Sequence, residues 1–385
     1  MRSQIGCKEI ALSKPRVLIL TDWYLPGYKA GGPIRSIANL VQLIRQDVDF
    51  KIITSDRDHG ELEPYAEVEK NVFQDVQGCR VMYCSPAHIM QNVRNEIQVW
   101  EPDFIYLNSF FSVDFSLKPL VYLWNRNLLS KVILAPRGML GEGALQLKPF
   151  KKRAFISLFK AFGFSRKLRF HSTDQSESKS IVKVLGSATN VVEVTNVPSV
   201  FADTAPKKRT ENTFLFVSRL SPKKNFEFLL NVLADAKLFE ASLTAVGPSE
   251  ASYLKHLEHL SNELNVNFVG AKSPNQVSVE LDRHDYFVLP TLNENFGHAI
   301  IEALAHGCPV IISDQTPWID LEEQGAGWVV PLQDKERWSE VLLTAKTLGP
   351  EEYSSMSSNA LAYVKRKFDL EQLREQYLEL FGAKD

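Results

Sequence analysis

Two glutamates, Glu294 and Glu302, stand eight residues apart just after the apolar run DYFVLP. Gly297 lies between them, and a glycine lets the backbone approach a ligand closely. Amides at a helix N-terminus here would attract a diphosphate. Because eight helical residues span about 12 Å, one carboxylate could reach a sugar while the other accepts two hydrogen bonds from a ribose diol. In the alternative interpretation, the first glutamate only caps the helix and the second only decorates its surface.

Two cations, Arg219 and Lys224, follow the apolar run TFLFV in the stretch SRLSPKKN. Cations at the end of a strand can offset the charge of a leaving diphosphate without a metal ion. A solvated basic turn is the alternative. Both clusters follow predicted strands of one predicted domain and their chemistries are complementary. We therefore interpret them as one site for an anionic, hydroxylated ligand.

The elements that must position these residues are short apolar strands alternating with helices. This alternation predicts an α/β fold with parallel sheets covered on both faces. It restarts in the second half of the chain, which predicts two doubly wound, Rossmann-like domains whose strand ends face a central cleft. The predicted strands cover residues 16–21, 49–55, 79–84, 103–109, 131–136, 168–173 and 190–196 in the first half, and 213–220, 242–247, 266–270, 285–290 and 308–313 in the second.

The polar, proline-containing stretch 197–212 is interpreted as a linker between the two halves. The predicted N-terminal domain covers residues 1–198, and the predicted C-terminal domain covers residues 199–365. A helical pattern with an apolar stripe ends the chain within residues 366–385.

These motifs together resemble the GT-B glycosyltransferases, specifically the retaining glycosyltransferase family 4. The resemblance rests on the E-x7-E pair in NENFGHAIIEALAHGCPVI, the arginine and lysine of VSRLSPKKN, the segment VGPSE and the glycine loop PGYKAGGPIRS. It covers nearly the whole chain and is clearest over residues 212–331. It implies a retaining transfer from a UDP- or GDP-linked sugar to a glycan or lipid-linked sugar acceptor, in bacterial surface polysaccharide or lipopolysaccharide synthesis.

The resemblance also implies roles for single residues. Arg219, Lys224 and Glu294 take catalytic roles, the two cations as ligands of the donor diphosphate and the glutamate as a contact to the donor sugar. Glu302 becomes the ribose ligand. The first domain would bind the acceptor, the second the donor, and the last helix would cross back to the first domain. The remaining donor-site residues are Gly31, Gly32, Asn295, Phe296, Gly297 and His298.

The same resemblance makes four residues of the first half candidates for the acceptor or the cleft wall: Arg137, His171, Glu177 and Asn196. Arg137 stands in APRGM, where many relatives carry a histidine, and an arginine cannot act as a general base. It could bind phosphate or acceptor, or be a structural arginine in a tight turn. Asn196 resembles the asparagine of the family's interdomain Asn-Gly turn, with Val197 in place of the glycine.

No metal or other cofactor is expected beyond the nucleotide-sugar co-substrate. The tripeptide Asp56-Arg57-Asp58 has the DxD pattern that holds a divalent metal in another glycosyltransferase fold, but we interpret it as a surface turn. The sequence contains neither the GxGxxG pattern nor the GxxxxGK[ST] pattern. Their absence disfavours a dehydrogenase or a P-loop kinase.

Composition and charge favour a cytoplasmic enzyme. The 385 residues are 44% hydrophobic and 23% charged, with a net charge of −2, which is an ordinary globular balance for two domains. The four cysteines form no CxxC pair, so reduced thiols are expected. The sequence shows no signal-peptide pattern and no run of about 18 apolar residues.

A basic stretch over residues 148–169 holds eight basic residues and no acidic one. Phe155, Ile156, Phe159 and Phe162 form an apolar stripe at helical spacing, and such a helix can lie on an anionic membrane. The protein is therefore expected in the cytoplasm, or peripherally on the inner face of the cytoplasmic membrane. In the alternative, the phenylalanines pack into the domain core and the lysines face water. Nucleic acid is not expected as a partner, because no reader motif accompanies the charge.

Two other functions stay open for this sequence. A sugar-nucleotide 2-epimerase of the same fold would change the donor without any acceptor. A non-catalytic nucleotide-sugar-binding protein would bind the donor and transfer nothing. The only support for the latter is the arginine at position 137 in place of a histidine.

Overall fold

The computed structural model describes residues 14–146, 149–199 and 213–383, so most of the predicted linker lies outside the described residues. Within these ranges the N-terminal domain contains an eight-stranded sheet. Its strands are β1 (Arg16–Leu20), β2 (Asp49–Ser55), β3 (Phe73–Val76), β4 (Cys79–Cys84), β5 (Phe104–Leu107), β6 (Val132–Leu134), β7 (Arg169–Ser172) and β8 (Asn190–Glu193). Its helices are α1 (Gly32–Ile44), α2 (Ile89–Trp100), α3 (Lys118–Asn125), α4 (Glu142–Gln146), α5 (Pro149–Ala161), α6 (Phe164–Lys167) and α7 (Gln175–Leu185).

The C-terminal domain contains a six-stranded sheet in the described part of the chain. Its strands are β9 (Thr213–Val217), β10 (Ser242–Val246), β11 (Val266–Gly270), β12 (Tyr286–Leu289), β13 (Val310–Ser313) and β14 (Gly327–Val330). Its helices are α8 (Phe226–Asp235), α9 (Ala251–Leu260), α10 (Pro274–Arg283), α11 (His298–Ala305), α12 (Lys335–Thr347) and α13 (Pro350–Lys367), and α14 (Leu370–Leu380) follows them.

Both sheets have a doubly wound topology. The strand orders are β3-β4-β2-β1-β5-β6-β7-β8 and β11-β10-β9-β12-β13-β14. All pairs are parallel except β3, which runs antiparallel to β4 at the edge. In each sheet the order reverses beside the first strand, between β1 and β5 and between β9 and β12. Loops after the strands at such a reversal form a crevice, which is where ligands of these sheets bind. The predicted fold class is confirmed.

Helix α1 illustrates how the sequence builds this architecture. Gly31 precedes it with a φ of 69°, a left-handed conformation that favours glycine. Pro33 follows in the first turn, where its missing N–H costs no helical hydrogen bond. Ile37, Leu40 and Ile44 are fully buried on one face of the helix. The helix therefore packs on the sheet while its first turn stays at the crevice.

Two strands were not predicted from the sequence. β3 is a half-exposed edge strand of sequence FQDV, so it lacks the continuous apolar run of a buried strand. β14 has the sequence GWVV and is only four residues long. Short edge strands give weak periodic signals.

The last helix, α14, packs on the N-terminal domain. Arg374 Nη2 lies 2.6 Å from Asp47 Oδ1, and the Tyr377 hydroxyl donates to the Thr195 carbonyl at 3.0 Å. The Phe381 ring makes edge contacts with Phe50, Phe104 and Tyr106. The core of the N-terminal domain is therefore completed by residues from the end of the chain.

Candidate functional site

A cavity of about 450 Å³ lies between the two domains, at the carboxyl ends of both sheets. This volume is typical of small-ligand sites. Counting only the described residues, seven cationic side chains and two carboxylates line it. The carboxylates are Glu294 and Glu302, and the cations are Lys29, Arg35, Arg137, Arg219, Lys223, Lys224 and Lys272. Such an excess of positive charge in a crevice suits an anionic ligand.

Glu294 and Lys224 form an ion pair inside the cavity. The Lys224 Nζ atom donates to Glu294 Oε2, and both side chains are mostly buried. Their loops are also joined through the backbone, because the Leu292 N–H donates to the Lys223 carbonyl at 2.9 Å. The two sequence clusters therefore meet at the reversal between β9 and β12.

Two more cations, Arg219 and Lys223, line the same end of the cavity. Burial lowers the pKa of Lys223, and the positive charges of Lys224 and Arg219 lower it further, although the negative charge of Glu294 raises it. An anion bound among these cations would relieve their repulsion. Sequence reasoning missed Lys223, although it stands beside Lys224 in the motif.

The N-terminus of α11 faces the cavity at Gly297 and His298. Gly297 has a φ of 76°, where other residues are strained, and a Cβ there would lie 2.8 Å from Ile300 Cδ1, so this turn favours glycine. The Ser36 hydroxyl donates to the Gly32 carbonyl, so His298 Nε2 donates to Ser36 Oγ, 2.9 Å away. Burial and the nearby Arg35 and Arg137 lower the pKa of His298 to about 3, so its ring is neutral.

Glu302 lies four residues further along α11 and contacts the other domain. Its Oε1 atom is 3.2 Å from Arg35 Nη2 and accepts a hydrogen bond from Ser199 Oγ at 3.2 Å. Burial raises the pKa of Glu302, while Arg35 and Ser199 act in the opposite direction. Neither Arg35 nor Ser199 was singled out from the sequence, because their role depends on how the two domains meet.

The glycine loop, residues 27–32, forms the first-domain side of the cavity. Gly31 and Gly32 both line it. Asp58 Oδ2 accepts hydrogen bonds from the Tyr28 N–H at 2.8 Å and the Lys29 N–H at 3.1 Å. Asp56 and Asp58 are only 1% and 6% exposed. The prediction of a surface turn is therefore wrong, and Asp58 is buried because it fixes the glycine loop.

Arg137 is held by three side chains of its own domain. Its guanidinium donates to Asn108 Oδ1 at 2.7 Å, Asn196 Oδ1 at 2.6 Å and the Tyr106 hydroxyl at 2.8 Å. Its φ of 55° and the following Gly138 form a left-handed turn. Arg137 and Asn196 also line the cavity. Arg137 therefore borders the site while its hydrogen bonds hold parts of the N-terminal domain together.

His171 and Glu177 lie behind this turn and are buried. His171 Nε2 donates to the Val194 carbonyl at 2.8 Å, so its Nδ1 atom accepts from the Tyr106 hydroxyl at 2.6 Å. Burial lowers the pKa of His171 to about 3. Glu177 accepts hydrogen bonds from the N–H groups of Gly138 and Thr173. Both residues therefore support the cavity wall rather than line it.

The remaining wall of the cavity is apolar. Val217, Val246, Val277 and Leu289 line it beside Lys272. Lys272 forms an ion pair with Glu280. Sequence reasoning did not single out this wall, because apolar residues within strands and helices look the same in sequence whether they line a cavity or the core.

The predicted apolar stripe of the basic stretch divides between the core and the surface. Ile156 and Phe159 are buried and Phe155 packs against the same core, so this part follows the core-packing alternative. Phe162, in contrast, is 48% exposed, and Leu158 is 57% exposed. Lys148 lies outside the described residues. None of the helices in the described ranges combines the length and apolar character needed to cross a bilayer.

The two-domain architecture matches a solved structure of the GT-B class. HepE of Anabaena, in complex with UDP and glucose, superposes with a TM-score of 0.69 at 16% sequence identity, over 96% of this chain and 100% of that one. The chain therefore has the GT-B fold.

Sequence comparisons match the second half of the chain. Residues 201–362 match the family Glycosyl transferases group 1. The capsular polysaccharide biosynthesis glycosyltransferase CapH of Staphylococcus aureus is 32% identical over 130 residues, which are 32% of this chain and 35% of CapH. The O-antigen chain mannosyltransferase RfbU of Salmonella typhimurium is 26% identical over 167 residues, 42% of this chain and 46% of RfbU. The matches span less than half the length of these curated relatives.

Proposed function

We propose that this protein is a retaining glycosyltransferase of family 4, which transfers a sugar from a UDP- or GDP-linked donor to a glycan or lipid-linked acceptor. The observation that carries the proposal is the Glu294–Lys224 pair at the N-terminal side of α11, inside a cavity shared by both domains. The match of residues 201–362 to Glycosyl transferases group 1 supports the same reaction. CapH and RfbU support bacterial surface polysaccharide synthesis as its setting.

Each part of a donor has a complementary part of the cavity. The diphosphate is assigned to Arg219 and Lys224, and the sugar hydroxyls to Glu294. The ribose diol is assigned to Glu302. The nucleobase is assigned to the apolar wall near Lys272. HepE was solved with UDP and glucose, which makes UDP-glucose the first donor to test.

In the proposed reaction, the bond between the anomeric carbon and the diphosphate oxygen breaks, and the acceptor oxygen bonds to that carbon on the same face. The leaving phosphate takes the acceptor proton, so Arg137 need not act as a base. Arg219 and Lys224 stabilise the charge that develops on the diphosphate, without a metal ion. Closure of the cleft around both substrates would exclude water and limit hydrolysis.

A thermal-shift panel tests the donor site directly. UDP, GDP, ADP and several of their sugars are added to the wild-type protein, since a ligand that binds only the folded form raises the melting midpoint. Stabilisation by one nucleotide identifies the base. The proposal would be contradicted if none of these ligands changed the melting midpoint, with or without an added cell extract that contains glycan and lipid-linked acceptors.

Product analysis with the stabilising nucleotide sugar separates the proposal from its alternatives. A transferase releases nucleoside diphosphate only when it forms a glycosylated acceptor. An epimerase would release an altered nucleotide sugar with no acceptor present, and a binding protein would form neither product. Parallel reactions with EDTA and with Mg²⁺ test the proposed metal independence.

Glu302→Gln is expected to weaken binding of the nucleotide about tenfold or more, because a charge-assisted hydrogen bond contributes about 1.5–3 kcal/mol. Isothermal titration calorimetry with UDP and GDP measures the change in Kd. Glu322→Gln is the matched control, because Glu322 is paired with Arg337 at 3.1 Å and neither residue lines the cavity. Equal affinity of Glu302→Gln and the wild type would remove Glu302 from the ribose site.

We further propose that the exposed face around α5 lies on an anionic membrane surface, where a lipid-linked acceptor would be found. The rings of Trp124 of α3 and Phe162 contact each other in a tilted arrangement with centroids 5.3 Å apart, and Val121 of α3 is exposed as well. Phe150 is 84% exposed at the other end of α5. Residues 149–169 contain several basic residues, among them the exposed Lys151 and Arg153, and no acidic one. This combination is typical of helices at a lipid interface.

Lys151→Glu combined with Arg153→Glu is expected to weaken binding to vesicles of phosphatidylglycerol and phosphatidylcholine about tenfold or more, because each basic residue near the surface contributes about 1 kcal/mol. Co-sedimentation measures the bound fraction. Lys255→Glu with Lys335→Glu, on helices of the other domain, is the matched control. Equal sedimentation of both double variants would contradict the membrane proposal.

A further inference from the structure

Arg35 of the N-terminal domain forms an ion pair with Glu302, the carboxylate to which the ribose was assigned. It lies in the first turn of α1, and its Nη2 atom is 3.2 Å from Glu302 Oε1 and 3.4 Å from Oε2. Ser199 Oγ also donates to Oε1. Both oxygens of Glu302 are therefore engaged by donors from outside the C-terminal sheet.

A bound ribose would require the same two oxygens. A vicinal diol presents two O–H donors, which a carboxylate accepts with both of its oxygens. Arg35 Nη2 and Ser199 Oγ both lie 3.2 Å from Oε1 and use its two lone pairs, so a diol hydroxyl can bond to this oxygen only if one of them leaves. Because arginine keeps its charge, a displaced Arg35 inside a partly buried cavity needs another anionic partner.

The cavity offers that partner only when the donor is bound. Among the described lining residues the carboxylates are Glu294 and Glu302, and Glu294 is already held by Lys224. The donor brings a diphosphate into the same cavity. We propose that Arg35 leaves Glu302 when the nucleotide binds and becomes a ligand of the diphosphate, contributed by the N-terminal domain.

In this proposal each carboxylate of the cavity is paired with a cation when the site is empty. When the donor is bound, each accepts hydrogen bonds from hydroxyl groups of the donor instead. Glu294 would pass from Lys224 to the sugar, and Glu302 from Arg35 to the ribose. The cations released in this way are those that the diphosphate requires. This inference rests on the proposed function. It adds a residue of the N-terminal domain, Arg35, that would bind a nucleoside diphosphate through its phosphates but would not bind a nucleoside.

The test compares nucleosides with their diphosphates on Arg35→Ala. The Kd values for UDP and GDP are measured by calorimetry, and those for uridine and guanosine by NMR titration. We expect the diphosphate that binds the wild type to bind Arg35→Ala about tenfold or more weakly, the loss typical of a charge-assisted hydrogen bond. The matching nucleoside is expected to bind as tightly as before or more tightly, because its competitor for Glu302 is gone. Arg35→Lys should recover part of the diphosphate affinity.

Arg45→Ala is the matched control, since Arg45 follows the last turn of the same helix and donates to the Gln77 carbonyl outside the cavity. Equal loss of nucleoside and diphosphate affinity in Arg35→Ala would overturn the inference, because Arg35 would then only orient Glu302. Unchanged affinity for both would overturn it as well. A wild-type protein that binds no nucleotide would overturn the proposed function and this inference together.

Discussion

Replacing Lys224 by alanine is expected to lower kcat about a hundredfold or more, with a much smaller change in the Kd for the nucleotide. Lys224 lies against Glu294 at the sugar end of the proposed diphosphate site. Its charge would therefore act where negative charge develops as the glycosidic bond breaks. Removing one such group from a pre-organised site typically costs a factor of about 10²–10³ in turnover. Initial rates of nucleoside diphosphate release measure the effect.

Two variants delimit this expectation. Lys224→Arg keeps the charge and should retain measurable turnover, whereas Lys255→Ala on the exposed face of α9 should behave as the wild type. Melting midpoints of all three variants identify a loss of folding. Normal kcat in a folded Lys224→Ala protein would remove this residue from the reaction.

Replacing Arg137 by methionine is expected to lower the free energy of unfolding of the N-terminal domain by about 3 kcal/mol. Three buried acceptors, Asn108, Asn196 and Tyr106, would each lose a donor from the guanidinium. Leaving a buried polar group without its partner costs about 1–3 kcal/mol. Urea unfolding monitored by tryptophan fluorescence measures the change, with Arg126→Met on the exposed end of α3 as the control.

The same variant distinguishes the two interpretations of Arg137. A structural arginine predicts a large loss of stability with little change in nucleotide affinity at temperatures where the protein is folded. A phosphate ligand predicts the reverse, a stable protein that binds UDP or GDP weakly. Because of its three hydrogen bonds, we expect Arg137→Met to destabilise the protein and to change nucleotide affinity little. A contact between Arg137 and the acceptor is compatible with this result, because Arg137 lines the cavity.

The fold was predictable because the signal is local and repeated. Each buried strand of a parallel sheet is a short apolar run, and β2 has the bounds that its sequence pattern predicts. The meeting of Lys224 with Glu294 was accessible for a related reason. Both residues follow strands that are neighbours at the reversal of the sheet, so topology alone brings their loops together.

Contacts across the cleft were not predictable in this way. Arg35 and Ser36 reach Glu302 and His298 over separations of 267 and 262 residues. Their meeting depends on the relative orientation of two domains, which no periodic pattern encodes. Arg137 was ambiguous for a similar reason, because its partner Asn196 lies 59 residues away, beyond the four helices α4 to α7 and the strands β7 and β8. The prediction that Asp56 and Asp58 lie in a surface turn was wrong because amino-acid composition does not show whether a short acidic turn is buried.

The path of α14 has a consequence for how the molecule can move. The chain passes between the domains twice, before β9 and again between α13 and α14. Any movement of one domain relative to the other therefore has to be accommodated at both of these connections. Helix α14 and the residue after it also contact residues behind the cleft wall, since Tyr377 contacts the His171 ring and Phe381 contacts Tyr106, which holds Arg137. A truncation at residue 369 would therefore remove part of the opposite domain, and the two halves cannot be separated by cutting the chain once.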